Sequence, residues 1–397
     1  MALTDIARPT DVSMLTDLYE LTMAQGLWEN GKLEEQGCFT AFYRDRPFGN
    51  AFAVMCGTAE LPELVENLRF TDEDIDYLSS LSAPGGGKMF NPDFLEFMRG
   101  FRMRVDIDAV PEGELVFPRE PMVRVTGSAL ECQLLETALL NTINFQTLVA
   151  TKTARVVQAA KGRPVAEFGL RRAQGPDGGL AVARASYVAG CASTSNVLAG
   201  RRYGIPVFGT HAHSWVMSFD TELEAFRAFA RSMPKNCTLL IDTYDVREGV
   251  ENAIIVAKEM EARGDRLAAI RIDSGDLAKL SSYVRSRFSR RWPGACWMRR
   301  GLPIAASCSR TIWTSTPSSP SSIRVPPLIP SASAPSSPRA MTSPRSVAFT
   351  SSLPAARPPL TPGRPWSSSL SSPINEPFPE SSRLGAIWMR PALRCAT

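Results

Sequence analysis

The chain has 397 residues, 44% of them apolar and 21% charged, enough for two or three domains with buried cores. Its net charge of +4 conceals two different polymers: residues 1–280 carry 29 basic and 38 acidic side chains, whereas from Ser281 onward there are 15 arginines, no lysine, two acids (Glu376 and Glu380) and 19 of the 31 prolines. The segment with apolar periodicity is therefore acidic, and the arginines of the tail form no RGG or aromatic-basic repeat, which argues against a nucleic-acid partner.

In chain order, residues 13–30 place Leu18, Leu21, Thr22, Leu27 and Trp28 at helical spacing behind a cap at Ser13 or Thr16, with Gly31 as the stop. CFTAFYRDRP and AFAVMCG read as strands, ELPELVENL as a helix, and VDIDAVPEGELVFPREPMVRVTG as a small antiparallel sheet with one solvated face. Residues 1–128 thus predict an α+β domain. A long helix from Ala129 follows, then apolar runs alternating with helices: PVAEFG, the helix after DGG, IPVFGT, EAFRAFARSM, TLLIDTYD, ENAIIVAKEMEARG and AAIRIDSGD. That alternation predicts an α/β fold with a parallel sheet or barrel over 129–280. Residues 281–397, rich in Pro, Ser and Arg, predict a disordered tail. Lacking an apolar run of about 18 residues, a basic N-terminal region and an apolar signal core, the sequence predicts a cytoplasmic chain with no membrane span. Eight cysteines with no CxxC pair read as small buried hydrophobes rather than as zinc ligands or disulfides.

Polar clusters stand at the ends of four apolar runs, where α/β folds bind ligands. His211 and His213 are the only histidines, both in Gly209-Thr210-His211-Ala212-His213-Ser214-Trp215. In extended backbone an HxH pair directs both rings to one face, as a metal site needs; the other reading is one nucleophilic or proton-transferring imidazole beside a structural neighbour. Arg171 and Arg172, ahead of Gly175, Gly178 and Gly179, suit a phosphate or carboxylate. Asp242, Thr243, Tyr244 and Asp245, then Asp273, Ser274, Gly275 and Asp276, suit a hydrated Mg²⁺ beside phosphate or the hydroxyls of a ribose, or else cap the helices that follow. Arg271, two residues before Asp273, shares its strand face.

Six collinear segments, LTDLYELTMAQG, FGLRRAQGPDGGL, CASTSNVLAG, GIPVFGTHAHSWVMSF, DTYD and RIDSGDLA, resemble the nicotinate phosphoribosyltransferase family over residues 11 to about 280. The resemblance implies a type II phosphoribosyltransferase: an N-terminal α+β domain plus an incomplete α/β barrel. It implies transfer of nicotinate to phosphoribosyl pyrophosphate, giving nicotinate mononucleotide in the salvage branch of NAD biosynthesis, with coupled ATP hydrolysis and Mg²⁺. It places a phosphohistidine at His213 and nicotinate contacts at Tyr19, Thr210 and Arg271. Asp17, Arg171 and Ser214 fall in the same site segments, with Asp242, Asp273, Ser274 and Gly275 as further substrate or phosphate candidates. It also implies a homodimer in which the LTDLY helix completes the site of the other subunit.

Beyond RIDSGDLAKLS the resemblance stops, and the family's SNDLDE, FGVGT and GVYKL motifs are absent. Read one base earlier, the codons of Arg310 to Thr316, Pro330 to Pro335 and Val347 to Ser352 permit versions of all three at family-like spacing, so the tail reads as a frameshift. The loss of FGVGT, which in the family contributes to phosphoribosyl pyrophosphate binding, predicts little activity for the chain as written and poor folding beyond Leu280. Competing readings are a catalytically silent subunit that pairs with an intact chain and a nicotinamide or quinolinate phosphoribosyltransferase.

Overall fold

The computed structural model describes residues 12–291 together with the backbone of two short strands, Ile304–Ala306 and Ile387–Pro391. The chain divides into two compact units, Met1–Arg155 with Pro176–Gly190 and Pro335–Thr397, and Val156–Gly175 with Cys191–Ala334. The first division falls inside the long helix rather than at residue 128. Its physical reason is the helix's apolar first half: Leu130, Leu134, Leu135, Leu139 and Ile143 belong to the core of the first unit.

In the first unit, α1 (Leu18–Glu29) starts behind Asp17, whose extended backbone is the N-cap. Ser13 is not the cap: its hydroxyl donates to the Arg69 carbonyl at 3.0 Å. Strand β1 (Gln36–Tyr43) alternates in burial along its length, as a half-buried strand should. The short β2 (Ala53–Val54) leads into α2 (Leu61–Asn67), α3 (Asp72–Ser80) and α4 (Pro92–Arg99). Then come β3 (Asp106–Ala109), β4 (Leu115–Val116) and β5 (Val123–Ser128). Strand β5 lies between β1 and β3, antiparallel to both, with Phe39 opposite Val125 and Ile107 opposite Val125, and the strand Ile387–Pro391 pairs antiparallel with the other edge of β1. β2 and β4 form a separate antiparallel pair.

α5 (Ala129–Ala159) opens on a capping box: Ser128 Oγ accepts the Glu131 N–H at 3.2 Å and the Glu131 carboxylate accepts the Ser128 N–H at 3.1 Å. At 31 residues it runs about 46 Å. Gly57 (φ +101°) lets the chain after β2 pass against this helix, because a Cβ there would stand 3.0 Å from the Ile143 Cα. Val54 and Cys56 N–H groups donate to Thr151 and Thr147 on the facing turns. Helix α6 (Gly175–Val188) begins before the DGG triplet, so Gly178 and Gly179 lie in its first turns and not in a phosphate-binding loop.

The second unit carries the parallel β/α pattern. β6 (Ala166–Glu167) pairs with β7 (Ser193–Thr194), and IPVFGT contributes only a parallel bridge between Thr194 and Val207. Helices α7 (Val197–Tyr203), α8 (His213–Met217) and α9 (Glu222–Ser232) precede β8 (Thr238–Leu240). Helix α10 (Val246–Ala262) leads to β9 (Ala269–Ile272), and α11 (Leu277–Arg291) to β10 (Ile304–Ala306), giving a parallel sheet in the order β10-β9-β8. Gly249 allows α10 to press on the end of β8, since a Cβ there would fall 2.2 Å from the Ile241 carbonyl oxygen. Leu239, Ile241, Ile270 and Ile272 are fully buried beneath α10 residues such as Val250, Ile254 and Ala257, in one cluster. α11 corrects the expected limit at residue 280: Val284 and Phe288, one turn apart, bury their side chains in that same core. Residues 281–291, expected to be disordered, belong to α11; the rest of that expectation and the frame-shifted motifs fall on residues that, apart from the two short strands, lie outside those described.

Candidate functional site

The second unit gathers its polar side chains at the ends of its strands. Arg271, on β9 and buried, donates from Nη1 to Thr210 Oγ1 at 2.9 Å and pairs through Nη2 with Asp273 Oδ2 at 3.1 Å. The expectation that Arg271 and Asp273 share one face is met. The Thr210 hydroxyl in turn donates to the His211 carbonyl at 3.0 Å. The Arg271 guanidinium also sits 5.8 Å from the centre of the Phe168 ring, which stacks in turn on Phe208.

The two histidines part company. The chain leaves its extended course at Ala212 and enters α8 at His213, so the HxH alternation that would put both rings on one face does not hold. His211 is buried, its Nε2 accepting the Leu240 N–H at 3.2 Å and its ring standing edge-on to Phe229 at 4.7 Å. Burial first, then the nearby Arg271 and His213, push its pKa down to about 4, outweighing the contact with the Ala212 carbonyl. It is a neutral ring tying the loop to β8. His213 is 38% exposed at its side chain, with Nδ1 3.1 Å from Thr243 Oγ1 and Nε2 3.7 Å from Asp273 Oδ2. Among the described residues no group of three metal-ligating side chains includes either ring.

The aspartates divide in the same manner. Asp242 does not simply face outward from its strand end. Its Oδ2 accepts the Asp273 N–H at 2.8 Å and the Ser274 hydroxyl at 2.7 Å, which shapes the turn that Gly275 (φ +78°) completes. Its Oδ1 is buried with no hydrogen-bond partner among the described residues. Asp245 caps α10 through the Arg247 and Glu248 N–H groups, and Asp276 accepts the Lys279 N–H, so both take the capping alternative. Ser214 is exposed on the first turn of α8, and Arg171 and Arg172 are exposed on the 3₁₀ turn Leu170–Arg172. Asp17 and Tyr19 belong to the first unit, exposed at the start of α1. Burial and the Glu20 and Glu136 carboxylates raise the Tyr19 phenol pKa, keeping it protonated.

Two residues at this end escaped the sequence reading. Phe168 supplies a flat apolar wall beside Arg271, and Glu167 fixes the loop that carries it, accepting from the Gly169 N–H and from the Thr194 hydroxyl. Their signal was the end of a strand, Glu167 as its last residue and Phe168 directly after it, masked by the more conspicuous arginines that follow.

Residues 14–144 match the nicotinate phosphoribosyltransferase N-terminal domain and residues 164–292 the nicotinate phosphoribosyltransferase family. The chain belongs to that family. Nicotinate phosphoribosyltransferase pncB2 of Mycobacterium tuberculosis is 46% identical over 275 residues, covering 69% of this chain and 58% of the relative. The Bacillus subtilis nicotinate phosphoribosyltransferase is 44% identical over 277 residues, covering 69% and 54%. The chain thus spans less than two thirds of the length of these relatives. The crystal structure of human nicotinic acid phosphoribosyltransferase superposes with a TM-score of 0.67 at 34% identity, covering 73% of this chain and 67% of that one. A nicotinate-nucleotide pyrophosphorylase from Pyrococcus furiosus, with TM-score 0.60 at 22% identity, shares the fold. The nicotinate phosphoribosyltransferase match runs to residue 292, in step with the end of α11 at Arg291. Among the described residues no helix is long and apolar enough to cross a membrane.

Proposed function

We propose that the chain carries the nicotinate phosphoribosyltransferase reaction. The pyridine nitrogen of nicotinate attacks C1 of the ribose of phosphoribosyl pyrophosphate, the C1–O bond breaks, and pyrophosphate leaves with the bonding pair. The observation that carries this reading is the set Arg271, Thr210 and Phe168. A buried guanidinium held by a hydroxyl, beside an aromatic wall, recognises a planar ring bearing a carboxylate. That favours nicotinate over nicotinamide, because only a carboxylate adds a charge-assisted pair to the guanidinium that Asp273 and Thr210 orient.

The half-exposed position of His213 next to Asp273 supports reading it as the ring phosphorylated by ATP. Asp273 and the buried Asp242 Oδ1, which has no hydrogen-bond partner among the described residues, are hard oxygen donors that fit a Mg²⁺ shared with phosphate, which needs only one or two carboxylates. When bound, the ion would neutralise the departing pyrophosphate. Tyr19, Leu18 and Leu15 are large, exposed side chains around the start of α1, and they support burial of this segment by a second copy of the chain in a homodimer. The same set of residues weighs against a catalytically silent subunit. Calorimetric titration with nicotinate and nicotinamide tests the reading: nicotinate binds, nicotinamide binds at least tenfold more weakly, and Arg271→Met abolishes the difference. Equal binding of the two ligands by the unsubstituted chain would refute it.

A further inference from the structure

Thr243 follows β8 in a loop fixed at both sides, by Asp242 bonded to the turn at Asp273 and Ser274 and by Asp245 at the head of α10. Its Oγ1 lies 3.1 Å from His213 Nδ1, and a β-branched side chain at that point has few rotamers to choose from. The other ring nitrogen, Nε2, is 3.7 Å from Asp273 Oδ2, beyond hydrogen-bond distance, and that carboxylate is already paired with Arg271. Thr243 Oγ1 accepts from an Nδ1–H or donates to a bare Nδ1 according to the tautomer, and the long Nε2–Asp273 distance favours the arrangement in which the ring N–H is the donor at Nδ1.

We infer that Thr243 is a positioning residue that holds His213 as the Nδ1–H tautomer and leaves the Nε2 lone pair as the phosphoryl acceptor. This rests on the phosphohistidine reading given above. In the step, Nε2 forms a bond to the γ-phosphorus of ATP while the bond from that phosphorus to the bridging oxygen breaks, and ADP leaves with the electron pair. The Nδ1 proton stays on the ring and its hydrogen bond to Thr243 strengthens as the imidazole becomes cationic. The Asp273 carboxylate, close but not bonded, offsets the same charge.

The chain's two histidines make the test direct, because ¹⁵N-histidine labelling of the full chain yields two imidazoles only. His211, accepting the Leu240 N–H at Nε2, is a built-in Nδ1–H reference and a report of folding. The expected result is that both rings are Nδ1–H, that Thr243→Val moves His213 toward Nε2–H with His211 unchanged, and that Thr243→Ser restores it. A wild-type His213 found as Nε2–H overturns the inference without any variant, as does a His213 tautomer indifferent to valine. If valine disturbs the His211 signal, Thr243→Ala answers the same question. Incubation with γ-labelled ATP separates the two layers of argument. Thr243→Val should lower label incorporation about tenfold, the value of one neutral hydrogen bond, with recovery in Thr243→Ser. Absence of label in every form, with the tautomers as expected, removes the phosphohistidine reading and leaves the role of Thr243 standing.

Discussion

Between pH 4 and 8 the leading buried titrations of the two units are of opposite kind, although each unit also holds a group of the other kind, Lys152 in the first and Glu222 in the second. In the first, Glu20 on α1 and Glu136 on α5 are fully buried acids. Glu20 accepts from Gln133 and Thr137, whereas neither oxygen of Glu136 has a hydrogen-bond partner among the described residues. Burial, the largest cause, together with the neighbouring carboxylates, pushes Glu20 up to about 7 and Glu136 up to about 10. In the second unit the conspicuous buried group is a base, His211, pushed down to about 4. Low dielectric favours the neutral form in each case, but neutrality means holding a proton in one unit and refusing it in the other. From pH 8 down to 4.5 these two acids should therefore stabilise the first unit, and from 6.5 down to 4 the imidazole should destabilise the second.

The largest effect is expected at Glu136. Its folded form retains a proton that the unfolded chain releases above the usual carboxylate value of 4.5, so stability of the first unit falls as pH rises through the window from 4.5 toward 10. Glu20 adds the same sign between 4.5 and 7. Glu136→Gln should stabilise this unit by about 3 kcal/mol at pH 8 and by little at pH 5. Cys56 and Cys132, both buried, report the unit's opening through their alkylation rates, compared between variant and parent at each pH. A variant equally protected or less protected at pH 8 would break the comparison.

His211 supplies the opposite slope. The unfolded imidazole takes up a proton below 6.5 while the folded one stays neutral down to about 4, so stability of the second unit drops over that interval, by about 2–3 kcal/mol. Glu222, a buried acid of the same unit whose pKa is raised by burial, works against this slope, and Glu222→Gln isolates the imidazole. His211→Phe should remove the acid slope and cost about 1–3 kcal/mol at pH 7, because the Leu240 N–H loses its acceptor. Cys191 and Cys237 are the buried thiols that read this unit.

This contrast also marks what the sequence could show. Arg271 on β9 and Asp273 just past its end were legible as neighbours because the two-residue alternation carries through Ile272. For the two histidines a shared face was only one of two readings, and it fails where extended backbone turns into α8 between Ala212 and His213; the other, a structural ring beside a more open one, agrees with the split observed. Helix α5 was plain from 31 residues of apolar spacing, yet its split between units was not, since that depends on which core its faces meet. Val284 and Phe288 kept helical spacing, but the arginines around them drew attention to composition and hid the helix. The structural duty of Asp242 depends on the Asp273 backbone N–H and the Ser274 hydroxyl, 31 and 32 residues away, which no local pattern records.

The smallest effect serves to separate titration from simple loss of structure. Thr221 caps α9 in the second unit by accepting the Glu224 N–H at 3.2 Å. Thr221→Ala should cost about 1 kcal/mol, the usual value of an N-cap. A hydroxyl carries no charge in this range, so the cost should be the same at pH 5 and pH 7 and the acid slope of the unit should be unchanged. Thiol protection of Cys237 at the two pH values measures it. A cap variant that steepened or flattened the slope would mean that α9 loosens around the imidazole, through Phe229 at its edge, and that packing rather than proton refusal sets the unit's behaviour in acid.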